Sequence, residues 1–266
     1  MSIDRGVVTQ PEVSFEQYLR TARSADLDFV EILLDGPTDR DWLERVVRGE
    51  VSVDVDGLSL VVHLPFEGLD LSAPSEEVRS AVVSELHRCH AVADAAGAET
   101  VVVHPTSLAW RKAHDTAFLR ERVVTSLTDL AGAATDAGLD AALTVENVPG
   151  GVVPTSDFPD LLAETALSMT FDTGHARIDG FDDRELSEFC ATHADRIAHV
   201  HLNDTRRPAD EHLPVGSGTI DFVGLFDALP AGWDGTASLE VNTPNMAYIE
   251  HSASYLDRVL AETGYR

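Results

Sequence analysis

At 266 residues the chain is too long for a minimal domain and suits either two small domains or one closed α/β barrel. Hydrophobic residues make up 44%, enough for a large core, but the longest apolar runs, LSLVV and TVVV, are strand-length and exclude a membrane span. The net charge of −27 is dispersed along the chain, with Lys112 the one lysine; such a surface points to a halophilic habitat and opposes binding to a polyanion such as DNA, an opposition that molar salt screens away.

The opening MSIDRGVVTQPEVSF lacks the basic-then-apolar layout of a signal peptide, so a cytoplasmic location is expected. From there short β-branched runs alternate with longer amphipathic stretches. GVVTQ reads as a first strand before the helical SFEQYLRTARSA, and DFVEILL as a second before DRDWLERVVRG. LSLVVHLPF and TVVVHP are strands three and four, each followed by a long helical pattern, SEEVRSAVVSELHRCHAVADAAG and AFLRERVVTSLTDLAGAATDAG. AALTVENV, SMTFDTGH, IAHVHLND and ASLEVN complete eight strands. FPDLLAETA, DDRELSEFCATHAD, a short DFVGLFDAL and AYIEHSASYLDRVLAETG are the remaining helices. Several helices open on Ser or Asp with an acid shortly after, as an N-cap and capping box require. Cys89 and Cys190 lie far apart in helical patterns and read as small apolar fillers of a reduced protein. Eight strands alternating with eight helices predict parallel strands joined by crossovers, and the count favours a single-domain (β/α)8 TIM barrel over residues 1–266. The rival, an open doubly wound sheet, lacks its phosphate-binding glycine fingerprint after the first strand.

In a parallel barrel, function gathers at the C-terminal ends of the strands. Strand three ends in His63, strand four in His104 and strand five in Glu146. Strand six ends in Asp172, with His175 just beyond, and strand seven in His201, with Asp210 and His212 in its loop. Strand eight ends in Glu240. Each has a bland reading: a lone strand-end histidine is usually just hydrogen-bonded, Asp172 can cap a helix, and Asp210 with His212 can be a solvated pair. Together, four carboxylates converging on one rim repel one another unless cations lie between them. A His/carboxylate mixture is the ligand set of Zn²⁺, Mn²⁺ or Co²⁺. His199 shares a face with His201 one layer deeper and reads as a supporting residue. Glu31, inside strand two, points into the barrel or toward the site as a supporting carboxylate. His87, His90, His114, His193 and His251 fall in helical patterns on the outer ring.

HLPF, VVHP, VENVPG, FDTGHA, HVHLND, DEHLPVGSGTIDF and SLEVN, in this order, resemble the xylose isomerase-like TIM-barrel superfamily. That grouping unites sugar and sugar-phosphate isomerases and epimerases with abasic-site repair enzymes of the endonuclease IV type. For isomerases and epimerases the resemblance implies one divalent metal held by Glu146, Asp172, His201 and Glu240. The two glutamates would be the catalytic acid/base pair on opposite faces of a bound ketose, with the metal stabilising the enediolate. His175, together with His63 and His104, would bind substrate, and Arg206 or Arg207 would meet a terminal hydroxyl or phosphate. For endonuclease IV-type members it implies three zinc ions, with His63, His104, His175, Asp210 and His212 joining the ligands, all nine positions being suitably filled. Against nucleic acid as partner, the loops LDGPTDRDW and FEGLDLSAP are acidic, and no basic stripe with interleaved aromatics appears. The expectation is therefore a metal-dependent isomerase or epimerase of a sugar, sugar phosphate or related polyol ketone in carbohydrate metabolism. Phosphodiester hydrolysis is the alternative and a non-catalytic, metal-stabilised barrel the third reading. A homodimer paired through its loops is a further expectation, and the Gly216 and Gly218 pair is expected to bring backbone close to the ligand.

Overall fold

Short β-branched runs become strands, and the amphipathic stretches between them become helices, in nearly the order their patterns predict. The computed structural model describes residues 3–265, and its strands close in chain order into one parallel barrel. These are β1 (Arg5–Val8), β2 (Phe29–Leu33), β3 (Ser59–His63), β4 (Ala98–Val103), β5 (Ala142–Glu146), β6 (Ser168–Asp172), β7 (Ile197–Leu202) and β8 (Thr236–Leu239). Around them run α1 (Phe15–Ser24), α2 (Arg40–Val47), α3 (Glu76–Ala95), α4 (Thr116–Ala137) and α5 (Phe158–Thr165). Then come α6 (Thr173–Ile178), α7 (Asp183–His193), α8 (Phe222–Ala228) and α9 (Met246–Thr263).

Two details depart from the sequence reading. The short α6 was folded into the end of strand six; it forms because the Asp172 side chain caps it, accepting from the His175 backbone N–H at 2.5 Å. His114 lies in a turn ahead of α4, its ring stacked on Phe118, and not within a helix. Ser14, Asp39, Asp115 and Asp221 each accept from the first turn of their helices, and Asp182 with Glu185 forms a full capping box on α7, whereas Ser75 ahead of α3 makes no side-chain cap.

The described chain groups into two compact units. The first comprises residues up to Glu31, Asp54–Ser59 and everything from Met169 onward. In it β1 pairs in parallel with β2 and β8, and β7 with β6 and β8, in a register that sets Asp172 opposite His201. Its core holds Tyr18 of α1, Phe222 and Phe226 of α8, Leu256 of α9, and Phe171 stacked on Phe189 at 5.2 Å. The second unit takes Ile32–Val53 and Leu60–Ser168. There β4 pairs with β3 and β5, and α4 buries Leu119, Val123, Leu127 and Leu130 along one stripe. Each such side chain contributes about 1.5–3 kcal/mol by leaving water. The buried Arg79 on α3 keeps its charge answered, pairing with Glu76 and Asp129 and donating to Ser126. No helix among the described residues is long and apolar enough to cross a membrane.

Both cysteines are free and buried, and burial pushes each thiol up to about 12. At pH 8 neither thiol is expected to react with a thiol-specific disulfide reagent in the native protein, whereas both should react in denaturant. Fast labelling of the native state would contradict this packing.

Candidate metal centre

In the second unit, three expected residues converge. His63 closes β3, Glu146 closes β5, and His104 follows β4 by one residue. His63 Nε2 lies 3.0 Å from His104 Nε2 and 3.2 Å from Glu146 Oε2, and His104 Nε2 lies 3.1 Å from the same oxygen. The Leu64 carbonyl can only accept, so His63 Nδ1, 2.9 Å away, is the donor. In the neutral ring Nε2 then carries the lone pair. Three electron-rich atoms this close, with Glu146 fully buried, require a proton or a cation among them. Phe66 stacks on His104 at 4.4 Å and packs edge-on to His63, fixing both rings.

In the first unit, Asp172, His201 and Glu240 each offer a ligand atom within 4.8 Å of the others. Asp172 Oδ2 accepts from Asn203 Nδ2 at 2.6 Å, and His201 Nδ1 lies 3.3 Å from Glu240 Oε2. Gly174 permits this arrangement, since a Cβ there would sit 1.9 Å from Asn203 Oδ1. Glu31 is fully buried between His199 and His201, so it faces the barrel interior.

A third group lies beside it. Asp210 Oδ1 is 2.8 Å from His212 Nε2 and 3.5 Å from His175 Nε2. Those two histidines hold the Asp210 carboxyl well below the usual carboxylate range. Burial alone would lower His212, but the Glu240 and Asp210 carboxylates outweigh it and push the ring up to about 10. His212 adopts a left-handed backbone, φ 41°, a strain of about 1–2 kcal/mol for a side chain with a Cβ. It is held there by its Nδ1 donating to the Glu240 carbonyl at 3.1 Å and by Asn242 N–H donating to its own carbonyl at 3.0 Å.

The loop carrying Asp210 and His212 is organised by Asp204, a residue to which the sequence reading gave no role. Its buried carboxylate accepts the backbone N–H groups of Thr205, Gly216, Gly218 and Ile220 at 2.7–3.2 Å. Gly218 is required because a Cβ would stand 2.2 Å from Asp204 Oδ1. The close backbone approach at this glycine is thus to Asp204. Arg206 and Arg207 are exposed and both pair with Glu211. Asn203, Thr236 and Ser238 were also missed, although the two-residue strand period places Asn203 with His201 and Ser238 with Glu240.

Mixed imidazole and carboxylate donors fit a divalent transition-metal ion such as zinc, manganese or cobalt. Such ligands must be deprotonated at the coordinating atom, so binding weakens at low pH. Residues 19–259 match the model of a family described as xylose isomerase-like TIM barrel. The chain belongs to that family. Among xylose isomerase-like relatives, an uncharacterised protein of Methanocaldococcus jannaschii is 30% identical over 191 residues, 69% of this chain. The match spans 64% of that relative's length. Among solved xylose isomerase-like barrels, a D-tagatose 3-epimerase-like protein superposes with TM-score 0.82 at 24% identity, covering 98% of both chains. An L-ribulose 3-epimerase gives TM-score 0.78 at 19% identity, covering 99% of this chain and 96% of its own. At these identities the two structures speak for the fold.

Asp204→Ala should lower unfolding free energy by roughly 3 kcal/mol, because two buried and two part-buried N–H groups lose a charged acceptor; an unchanged urea midpoint would refute the clamp. The His212 pairing predicts a pH dependence in metal-free protein. The folded value lies above the ordinary one, so the stability it contributes is complete below pH 6.5 and lost as pH rises through about 10. Urea midpoints should fall across that window, and less steeply in Asp210→Asn; equal slopes would contradict the pairing.

Proposed function

We propose that the protein is a divalent-metal-dependent isomerase or epimerase of a sugar, sugar phosphate or related polyol ketone. The observation that carries this reading is the buried Asp172, His201 and Glu240 set, three ligands from the ends of three consecutive strands. In the proposal Glu146, equally buried at the end of β5, completes the site. A divalent ion held there would supply Lewis-acid chemistry, polarising a substrate carbonyl and making the adjacent carbon more acidic.

The chain's own groups do the rest. One glutamate of the Glu146 and Glu240 pair takes the proton from the carbon beside the carbonyl. The other returns a proton to the opposite face, inverting the centre, or to the neighbouring carbon, moving the carbonyl as the hydroxyl proton passes from one oxygen to the other. His175 donates to a substrate hydroxyl or carbonyl oxygen, and His63 and His104 line the approach. Arg206 and Arg207 reach a terminal hydroxyl or phosphate only by exchanging Glu211 for substrate. The resemblance of the barrel to a D-tagatose 3-epimerase-like protein and an L-ribulose 3-epimerase supports a ketose as the substrate class.

A second reading, zinc-dependent phosphodiester hydrolysis, is favoured by the two additional clusters, His63/His104/Glu146 and His175/Asp210/His212. The loop after β4 also exposes Trp110 beside Arg111 and Lys112.

With Mn²⁺ and a panel of ketoses, NMR in deuterated water should show exchange of a carbon-bound proton. Glu146→Gln and Glu240→Gln should each lower kcat/KM by about 10²–10⁴-fold. No exchange with any ketose, together with three zinc ions per chain and nicking of an abasic oligonucleotide in molar KCl, would transfer the assignment to the hydrolase.

A further inference from the structure

Glu31 occupies the middle of β2 with no exposed surface, a costly position for a carboxylate unless its lone pairs are answered. Both its oxygens are. Oε1 lies 3.0 Å from His201 Nε2, and Oε2 lies 3.1 Å from His199 Nε2 and also accepts from Ser238 Oγ. A carboxylate only accepts, so each histidine presents an Nε2–H to it. In a neutral ring the lone pair is then on Nδ1. His199 Nδ1 lies 2.6 Å from the Thr236 hydroxyl, which donates to it. His201 Nδ1 lies 3.3 Å from Glu240 Oε2, on the side of the proposed metal.

These three residues have a metal-ligating composition of their own. Their spacing is nevertheless that of hydrogen bonds: two ring N–H groups and a hydroxyl converge on one carboxylate. The rings of His199 and His201 meet edge-to-face at 5.1 Å, and Phe29 packs on His199, so neither ring can turn without displacing the other.

We propose that Glu31, braced by His199 and Ser238, is a positioning residue that fixes His201 as its Nε2–H tautomer and so presents Nδ1 to the divalent cation. The proposal rests on the metal reading above for its purpose, but the Nε2–H held by Glu31 is a property of the metal-free chain. A carboxylate behind a ligating histidine fixes ring orientation and raises ligand basicity, and its removal typically costs 10–100-fold in metal affinity.

The test combines ¹⁵N NMR of histidine-labelled, metal-free protein with Mn²⁺ titration. In the wild type, His201 and His199 should both carry a proton on Nε2 at neutral pH. In Glu31→Gln, whose amide must donate as well as accept, the His201 pattern should change and the Mn²⁺ dissociation constant should rise about 10–100-fold. Glu31→Asp, which restores the charge, should recover part of that loss. If Glu31→Gln does not fold, Ser238→Ala removes one donor and should weaken Mn²⁺ binding roughly threefold to tenfold. An Nδ1–H pattern for His201 in the wild type would overturn the proposal. So would Mn²⁺ binding at wild-type strength in a folded Glu31→Gln. Nε2–H patterns with no binding of Mn²⁺, Co²⁺ or Zn²⁺ would instead overturn the metal reading, which separates the two failures.

Discussion

Carboxylates and imidazoles can be crowded at the ends of parallel strands only if every charge meets a donor or a cation, and this requirement shapes the protein from the β2 interior to the outer loops. Glu31 meets it with two imidazole N–H groups and a hydroxyl. Asp204 meets it with four backbone N–H groups. Asp172 is answered by Asn203 and by the start of α6. At His63, His104 and Glu146 a proton or a cation among the three meets the same requirement.

Much of this was legible in the sequence because strands carry a two-residue period and parallel barrels collect function at one end of each strand. His63, Glu146, Asp172 and His201 close apolar runs, so their positions could be read directly. Their partners were harder to see. Asn203 and Ser238 lie in the expected period but are neutral, and neutral polar residues at strand ends carry no special signal. Asp204 was illegible for a different reason: its partners are main-chain N–H groups, and main chain is invisible in a list of side chains. The short α6 was hidden because a single capping bond, not an apolar stripe, starts it. Arg206 and Arg207 look available in sequence, yet Glu211, four and five residues away, pairs with both.

The dispersed negative charge has a different relation to the site. It says how the surface is hydrated and nothing about the carboxylates inside, which are governed by partners a few ångströms away. Buried pairs such as Glu31 with His201 are shielded from bulk salt, whereas exposed pairs such as Arg184 with Glu188 are not. A change in ionic strength therefore acts on the outer helices before it reaches the strand ends.

The Asp204 clamp has a consequence for how such a protein could diversify. Because the loop's bend is held through main-chain N–H groups at its base, side chains such as Pro208 and Ala209 are not needed to maintain it, whereas Asp210, paired with His212, and Glu211, accepting from the Arg206 N–H, are. New side chains could be grafted there, altering which molecules are admitted, while the turn that delivers His212 keeps its shape. Gly218, pressed against the clamp, must stay small for those positions to be interchangeable.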